Sequence, residues 1–491
     1  MGLFSWLRRA PAPAARRRVR SFDSAKISRL YSSSTMPRPP DVDIRNGLRA
    51  LVARSRHEAQ NNDYARQYLR LVRTNVIGHQ GITLQARVQD PDGTTDALAN
   101  DAIEAAWADW SRMGVPDITG QHSLKTLLRV AVDTLVRDGE ILIRKHIGGR
   151  DNPYGTVLEL LDPQVLDVDL NHNPRGGNVI RMGVELSPQR RPVAYHLLTS
   201  SNTADTYVLY GRRYTRVPAE QIYHCYLHES AWQTRGVPSM AALLMRMNML
   251  EGYEEAALVN ARSGASKMGF FTTPDGVSGI GEEQDDGEML TSAEPGTFED
   301  LPPGVEFQPY NPDYPNGEFE GFVKGALRGI AAGLGVSYHT LSSDLSGANY
   351  SSLRQGALED RAVWMMLQDW LIESLLDPMY RDWLQAALFA GAITVLGKPL
   401  KSDRIDKYTR VSWQPRRWQW VDPAKEMAAA ETAVNNRFRS ISDIIREQGR
   451  DPETVWAEIA RERARLQALG ITPEQALAAT SKPDSSGSTT P

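Results

Sequence analysis

Cysteine is almost missing from this chain: Cys225 stands alone among 491 residues. A single thiol excludes an intramolecular disulfide and any metal site made of clustered cysteines, the usage expected of a protein assembled inside a cell. Long apolar runs are lacking too. The longest, LQAALFAGAITVL from Leu384 to Leu396, is broken by Gln385 and Gly391, falls short of the ~20 residues a membrane span requires, and reads as a buried helix. Neither sign of charge is in excess: 56 basic and 60 acidic side chains leave a formal net charge of -4. That balance excludes the cationic footprint of a tight duplex binder, so any contact with DNA has to be local or weak.

Recognisable catalytic motifs are also wanting. VLGKPL around Lys398 has the Gly-Lys pair of a phosphate-cradling loop but neither the upstream glycine nor the following Ser or Thr, which argues against a nucleotide-driven motor. There is no G-x-S-x-G nucleophile elbow and no H-E-x-x-H zinc helix. His224, Cys225 and His228 in HCYLH have zinc-like spacing without a fourth ligand, and alternation over QIYHCYLHE suits a strand with two faces. Asp138 and Glu140 flank Gly139 at a helix-to-strand junction, where a glycine turn explains them better than an acid/base pair. Trp413, Trp418 and Trp420 lie beside Arg410, Arg416 and Arg417. They could stack on single-stranded bases, but packing with arginine over tryptophan faces is the commoner use. The expectation is a protein that is not an enzyme and uses no metal or cofactor.

What the chain does contain is a succession of contrasting segments. Residues 1–40 form a basic arm, with Arg8, Arg9, Arg16, Arg17, Arg18 and Arg20, read as flexible. Residues 41–139 carry four helical patterns, two of them closed by Gly78 and Gly139, which act as stop signals. From 140 to 230 the period shortens toward two, and EILIRKHI, TVLELL, NVIRMGVEL, PVAYHLL and TYVLYG read as a β-rich module. Met240, Leu243, Leu244, Met247, Leu250, Ala257 and Leu258 then recur at spacings of three and four, predicting a long helix over 237–265. Within 266–420, residues 273–300 hold nine acidic side chains and no Lys or Arg, a solvated loop that repels polyanions. Asp-Pro pairs at Asp377, Asp422 and Asp451 read as helix starts. The region 421–480 is helical in pattern, and 481–491 is a Ser/Thr/Pro tail. The fold class is α+β, mainly helical.

One stretch is less easily assigned. Residues 342–351, SSDLSGANYS, offer little to a core and stand directly before an apolar-periodic helix. They suit a mobile polar loop, and equally a turn that caps the helix starting near Ser351.

Several blocks, in order, resemble the lambda-type portal family of tailed bacteriophages. They are NNDYARQYLRLVRTNVIGHQGITLQ (61–85), LLDPQVLD (160–167), GVELSPQRRPVAYHLL (183–198), RGVPSMAALLMRMNMLEGYEEAALVNAR (235–262), SGANYSSLRQGALEDRAVW (346–364) and WVDPAKEMAAA (420–430). The resemblance implies a ring homo-oligomer, usually a dodecamer, at one capsid vertex of the virion, assembled in the host cytoplasm, through which double-stranded DNA is packaged and ejected. It implies as partners the terminase large subunit, the major capsid protein and head-tail connector proteins. It also implies a wing (41–139 and 266–420), a clip mapped onto 140–230, a stem helix at 237–265 and a crown at 421–480. Asp344, Ser346, Gly347, Asn349 and Tyr350 would lie at or near the family's tunnel loop, a constriction around the DNA. Another head-tail connector or head completion protein is the alternative, and an unrecognised enzyme a more distant one.

Overall fold

The computed structural model describes residues 37–149, 152–174, 176–199, 212–265, 269–272, 282–283, 289–290, 306–309, 319–418 and 423–468. The basic arm up to residue 36, the TYVLYG pattern, most of the acidic loop, Trp420, Asp422 and the tail beyond 468 lie outside the described residues.

Capping side chains account for the first elements. Helix α1 (Pro40–Asn61) has proline in its first turn with Asp41 and Asp43, placing negative charge at the positive helix end. The Asn62 side chain accepts from the amides of Tyr64 and Ala65, starting α2 (Asp63–Val72), which runs on through a π turn (Arg73–Ile77) to Gly78 at φ 72°. Strand β1 (Thr83–Ala86) follows. Asp96 caps α3 (Ala97–Trp110), and Ser123 caps α4 (Leu124–Asp138), which ends at left-handed Gly139.

Seven strands come next: β2 (Glu140–Ile147), β3 (Thr156–Leu161), β4 (Val179–Arg181), β5 (Val184–Leu186), β6 (Pro192–Leu198), β7 (Tyr214–Pro218) and β8 (Ile222–Tyr226). They form two antiparallel sheets, ordered β3-β2-β8 and β4-β5-β6-β7. NVIRMGVEL is a hairpin split at Met182 and Gly183, both with positive φ. Alternation along β2 sorts its side chains. Ile141 and Ile143 enter the main core, whereas Leu142 packs with Val184, Tyr195, Leu197 and Val217 under the second sheet. The three-stranded sheet is therefore part of the body's core.

Helix α5 (Leu244–Ala265) is followed by β9 (Gly269–Thr272), β10 (Glu282–Glu283), β11 (Met289–Leu290), β12 (Glu306–Pro309) and α6 (Phe319–Leu334). The helix expected from Val237 begins seven residues later, at Leu244. Residues 238–243 form turns instead, with Ala241 N bonded to Pro238 O and Leu243 N to Met240 O. Met240 and Met247 are fully buried, but Leu258, expected on the same face, is exposed. Helices α5 and α6 form an antiparallel hairpin. A Cβ on Gly333 would fall 2.5 Å from the Leu243 side chain, so glycine permits the close approach at the base. Nearer the tip, Tyr253 stacks on Phe319 at 5.6 Å. Beyond the helix ends β9 and β12 pair antiparallel, Gly269 opposite Pro309.

The chain continues through α7 (Tyr338–Ser342), α8 (Tyr350–Leu371), a second π turn (Ile372–Leu376), α9 (Asp377–Phe389), the short β13 (Thr394–Val395) and β14 (Lys398–Pro399), α10 (Ile405–Tyr408) and β15 (Val411–Gln414), then α11 (Pro423–Asn435), α12 (Ile441–Glu447) and α13 (Pro452–Ala468). Asp377 does not cap a new helix; it lies in helical conformation where the π turn passes into α9. Pro378 can donate no amide, and the Ser374 carbonyl four residues back accepts from the Cys225 thiol at 3.3 Å. The 384–396 run is not one helix either: α9 stops at Phe389, and Thr394 and Val395 form a strand. Asp451 does cap α13, accepting from Thr454 N at 2.9 Å.

Trp107 is the hub of the main core, with Trp110 and Trp383 at 4.9 Å and Trp413 at 5.7 Å between ring centroids. Between the two sheets lies a fully buried ion pair. Arg235 Nε donates to both Glu140 oxygens at 2.9 Å. Its Nη1 donates to the carbonyls of Leu166 and Met182 at 2.9 Å, and its Nη2 to Glu140 and to Pro163 O. Burial alone would raise the Glu140 carboxyl, but the Arg235 charge and the hydrogen bonds from His224 and Arg235 bring it down to about 2. Removing the cation alone, by Arg235→Met, strands a buried carboxylate and should cost about 3–5 kcal/mol in urea unfolding, while adding Glu140→Leu should recover most of the loss. Because the folded carboxyl titrates below its ordinary 4.5, its stabilisation is fully present above that pH and disappears as pH falls toward about 2. A urea-midpoint series should show this slope in the natural chain and a flatter one in the double variant.

Candidate functional site

The polar loop is held from three sides. At its start, Ser337 caps α7, and Asp360 of α8 accepts from Ser337 N at 2.8 Å and from Thr340 Oγ1 at 2.6 Å. At its end, Asn349 caps α8 by accepting from Ser352 N at 2.8 Å. The capping alternative drawn from the sequence therefore holds for Asn349. Asp344 organises the middle, accepting from Ser346 N and Tyr338 Oη at 2.8 Å and from Ser346 Oγ at 2.5 Å. The Ser346 bonds first, then Tyr338 and the nearby Lys324 charge, hold its carboxyl well below the usual carboxylate range. Ser343 and Gly347 take left-handed φ values of 57° and 71°, the conformation glycine adopts freely.

The five residues singled out from the sequence thus divide by role. Asp344, Ser346 and Gly347 shape the loop, Asn349 starts the helix, and Tyr350 stands outward with 57% of its surface exposed. Two neighbours escaped notice. Leu345 is 63% exposed, an apolar tip in a polar loop. Lys324 of α6 reaches back to Asp344 at 3.6 Å and to Glu320 at 2.6 Å, so the loop lies along the flank of α6 and the one lysine beside it is already compensated.

The other constellations resolve as scaffold. His224 faces Glu140 at 2.8 Å and Cys225 faces Ser374 on opposite sides of β8, which ends at Tyr226, and His228 beyond it tilts its ring against Tyr226 at 4.4 Å. No group of metal-ligating side chains occurs among the described residues. Asp138 is bound by Arg56 and Arg137, and Glu140 by Arg235; each carboxylate answers a different partner. Trp413 packs in the core with its Nε1 on Asp377 at 2.6 Å. Trp418 donates to Asn75, with the guanidiniums of Arg361 and Arg416 within 6 Å of its ring, at 5.9 and 5.8 Å. Both match the packing use of these tryptophans.

The structure is thus an α+β body from which a helical hairpin extends, with a capped polar loop along one hairpin helix. Comparison with known proteins gives its family. The model of the phage portal proteins of the lambda family matches residues 27–368. The chain is 34% identical over 472 residues to the "Probable portal protein" of Halomonas phage phiHAP-1, covering 94% of this chain and 90% of that one. It is 22% identical to portal protein B of Escherichia phage lambda, covering 86% and 84%. Among solved structures, the neck of a native gene transfer agent particle computed with C12 symmetry aligns with a TM-score of 0.43 at 14% identity, over 82% of this chain and 94% of that one. The chain belongs to the lambda family of phage portal proteins, a structural family of the virion.

Removing the cap by Asn349→Ala should cost about 1 kcal/mol locally, seen as roughly fivefold faster hydrogen exchange in the first turn of α8. Asp344→Ala should speed exchange at 344–347, and both variants should leave the far end of α8 unchanged.

Proposed function

We propose that twelve copies of this chain close into a ring at one vertex of the phage capsid and that double-stranded DNA enters and leaves through its centre. The observation that carries this reading is the α5–α6 hairpin, whose returning helix leads through the short α7 into the 342–351 loop lying along its side. Where the loop narrows the channel, α6 lines it. Gly321, Gly325, Ala332 and Gly333 are the exposed small residues of that helix, Lys324 is balanced by two carboxylates, and the exposed Arg328 lies over the Tyr338 ring at 5.6 Å. Each cation clamped on a phosphate strengthens binding by a salt-dependent increment, so a wall that must pass a long duplex works best with few of them. A side-chain amide such as that of Asn349, whose Oδ1 alone serves the cap of α8, offers brief phosphate contacts without a lasting grip.

The architecture supports a revised assignment of regions. The stem is the α5–α6 pair rather than the 237–265 segment alone. The clip is the β9–β12 ladder at its far end with the acidic segment between, not 140–230, whose first sheet shares the main core. Helices α11 to α13 form the crown, and the remaining body the wing. The clip would meet the terminase large subunit during packaging and head-tail connector proteins afterwards; the wing would meet the major capsid protein, after ring assembly in the host cytoplasm. Substituting Leu345 and Tyr350 with lysine adds uncompensated charge at the constriction. Rings should still assemble, while DNA-filled particles should fall about tenfold in a packaging assay as phosphate contacts accumulate. Unchanged packaging would place the loop away from the DNA.

A further inference from the structure

Five carboxylates gather where α1, α2 and α5 meet: Glu58 in the last turn of α1, Asp63 at the start of α2, and Glu251, Glu254 and Glu255 on α5. The three on α5 are spaced three and four apart, so they share one face of the helix, where like charges repel. Glu58 is the most enclosed, with 4% of its surface exposed and its Oε2 without a hydrogen-bond partner. Burial, and then Glu251, raise the Glu58 carboxyl above its ordinary value, with His57 offsetting them in part. Burial raises Glu254 as well, and Asp63 and Glu251 add to the effect. The Tyr64 hydroxyl donates to Glu254 at 3.3 Å, a neutral contact. Among the described residues no lysine or arginine pairs with any of the five.

An exposed acidic patch is ordinarily left to solvent, but a carboxylate enclosed among others with one oxygen unpartnered calls for a cation. A metal ion does not fit, since no group of side chains close enough to hold one occurs among the described residues. Carboxylates spread over three helices suit a chain that bears several cations.

The sequence supplies such a chain. Arg8, Arg9, Arg16, Arg17, Arg18 and Arg20 precede α1, four of them within five positions, and no Asp or Glu comes before Asp23. They lie outside the described residues, but the point where their segment joins the body is fixed, because Pro40 opens α1. Glu58 stands eighteen residues further along the same helix, about 27 Å away at 1.5 Å per residue. Twenty residues lead from Arg20 to Pro40. A Ser-rich coil of that length spans about 25 Å on average, and a tether is most effective when its average reach equals the distance to be bridged. The arginines of one copy are thus delivered at the height of its own carboxylates.

We propose that the acidic site at the junction of α1, α2 and α5 receives the arginine-rich arm of its own chain, residues 8–20, through guanidinium–carboxylate pairs. The contact is independent of ring closure and goes beyond the channel reading.

The experiment is carbodiimide cross-linking of the full chain carrying Arg17→Lys and Arg18→Lys, which keep the charge and supply amines that an adjacent carboxylate traps as an amide. Mass spectrometry at low salt should find links from residues 8–20 to Glu58, Asp63, Glu251, Glu254 or Glu255. In a mixture of isotope-labelled and unlabelled chains, those links should stay within one chain. Links to Asp63 and Glu254 should fall at least about fivefold on adding Glu251→Gln with Glu255→Gln, and likewise in about 0.5 M salt. Hydrogen exchange gives a second reading. Deleting residues 1–36 should speed exchange around Glu58 and Glu254 at least about threefold in the natural chain, and leave it unchanged in the Glu251→Gln, Glu255→Gln chain. An absence of these links, links spread evenly over other acidic surfaces, or links only between differently labelled chains overturns the proposal. Exchange that is the same with and without the arm overturns it too.

Discussion

The fold turns on one buried guanidinium. Arg235 lies between the sheets, where Glu140 neutralises its charge and the carbonyls of Pro163, Leu166 and Met182 take its other protons. A buried ion pair of this kind survives its desolvation cost only when every donor and acceptor is answered. Here Glu140 is answered as well, by His224 and the Gly236 amide. Because the partners come from β2, β8, the turn after β3 and the β4–β5 hairpin, the pair fixes four segments at one point. The chain crossing beside it is just as tight: a Cβ on Gly139 would sit 2.4 Å from Val237. From that crossing residues 238–243 turn into α5, so the direction in which α5 leaves the body is set beside the buried pair.

Charge is handled differently in the core and around the loop. In the body it is concentrated and paired, as with Asp138 between Arg56 and Arg137. Along the loop it is sparse and locally cancelled, with Asp344 engaged by a serine and a tyrosine and Lys324 shared between Asp344 and Glu320. Cancellation within the subunit is what a surface sliding past a polyanion requires, since every uncompensated cation there would add friction.

Much of this was legible in residue order. The stops at Gly78 and Gly139 and the cap before α8 mark helix ends through glycine φ and local hydrogen bonding, which depend only on neighbours in the chain. The α+β class followed from the helical and strand periods, and the family from the order of the blocks that resemble it. Periodicity failed where tertiary contacts override it. Asp377-Pro378 looks like a helix start, but a π turn carries the helix through it and Cys225 meets the Ser374 carbonyl. Leu258 fits the apolar spacing of α5, yet that stretch of the helix has left the body and the side chain stays exposed. The 140–230 segment reads as one module because alternation shows which side chains share a face but not which sheet they face. The roles of Arg235 and of Asp344 beside Lys324 were out of reach for a simpler reason: the partners lie apart in sequence, and no local pattern announces them.

The central claim is that many copies surround a channel whose wall holds DNA loosely. Cryo-electron microscopy of the purified full-length protein tests it most directly. The account predicts a closed twelvefold ring with the 342–351 loop and α6 facing the lumen and few unpaired cations there. A monomer that never closes, or a ring whose lumen is lined by unpaired arginines and lysines, would contradict it.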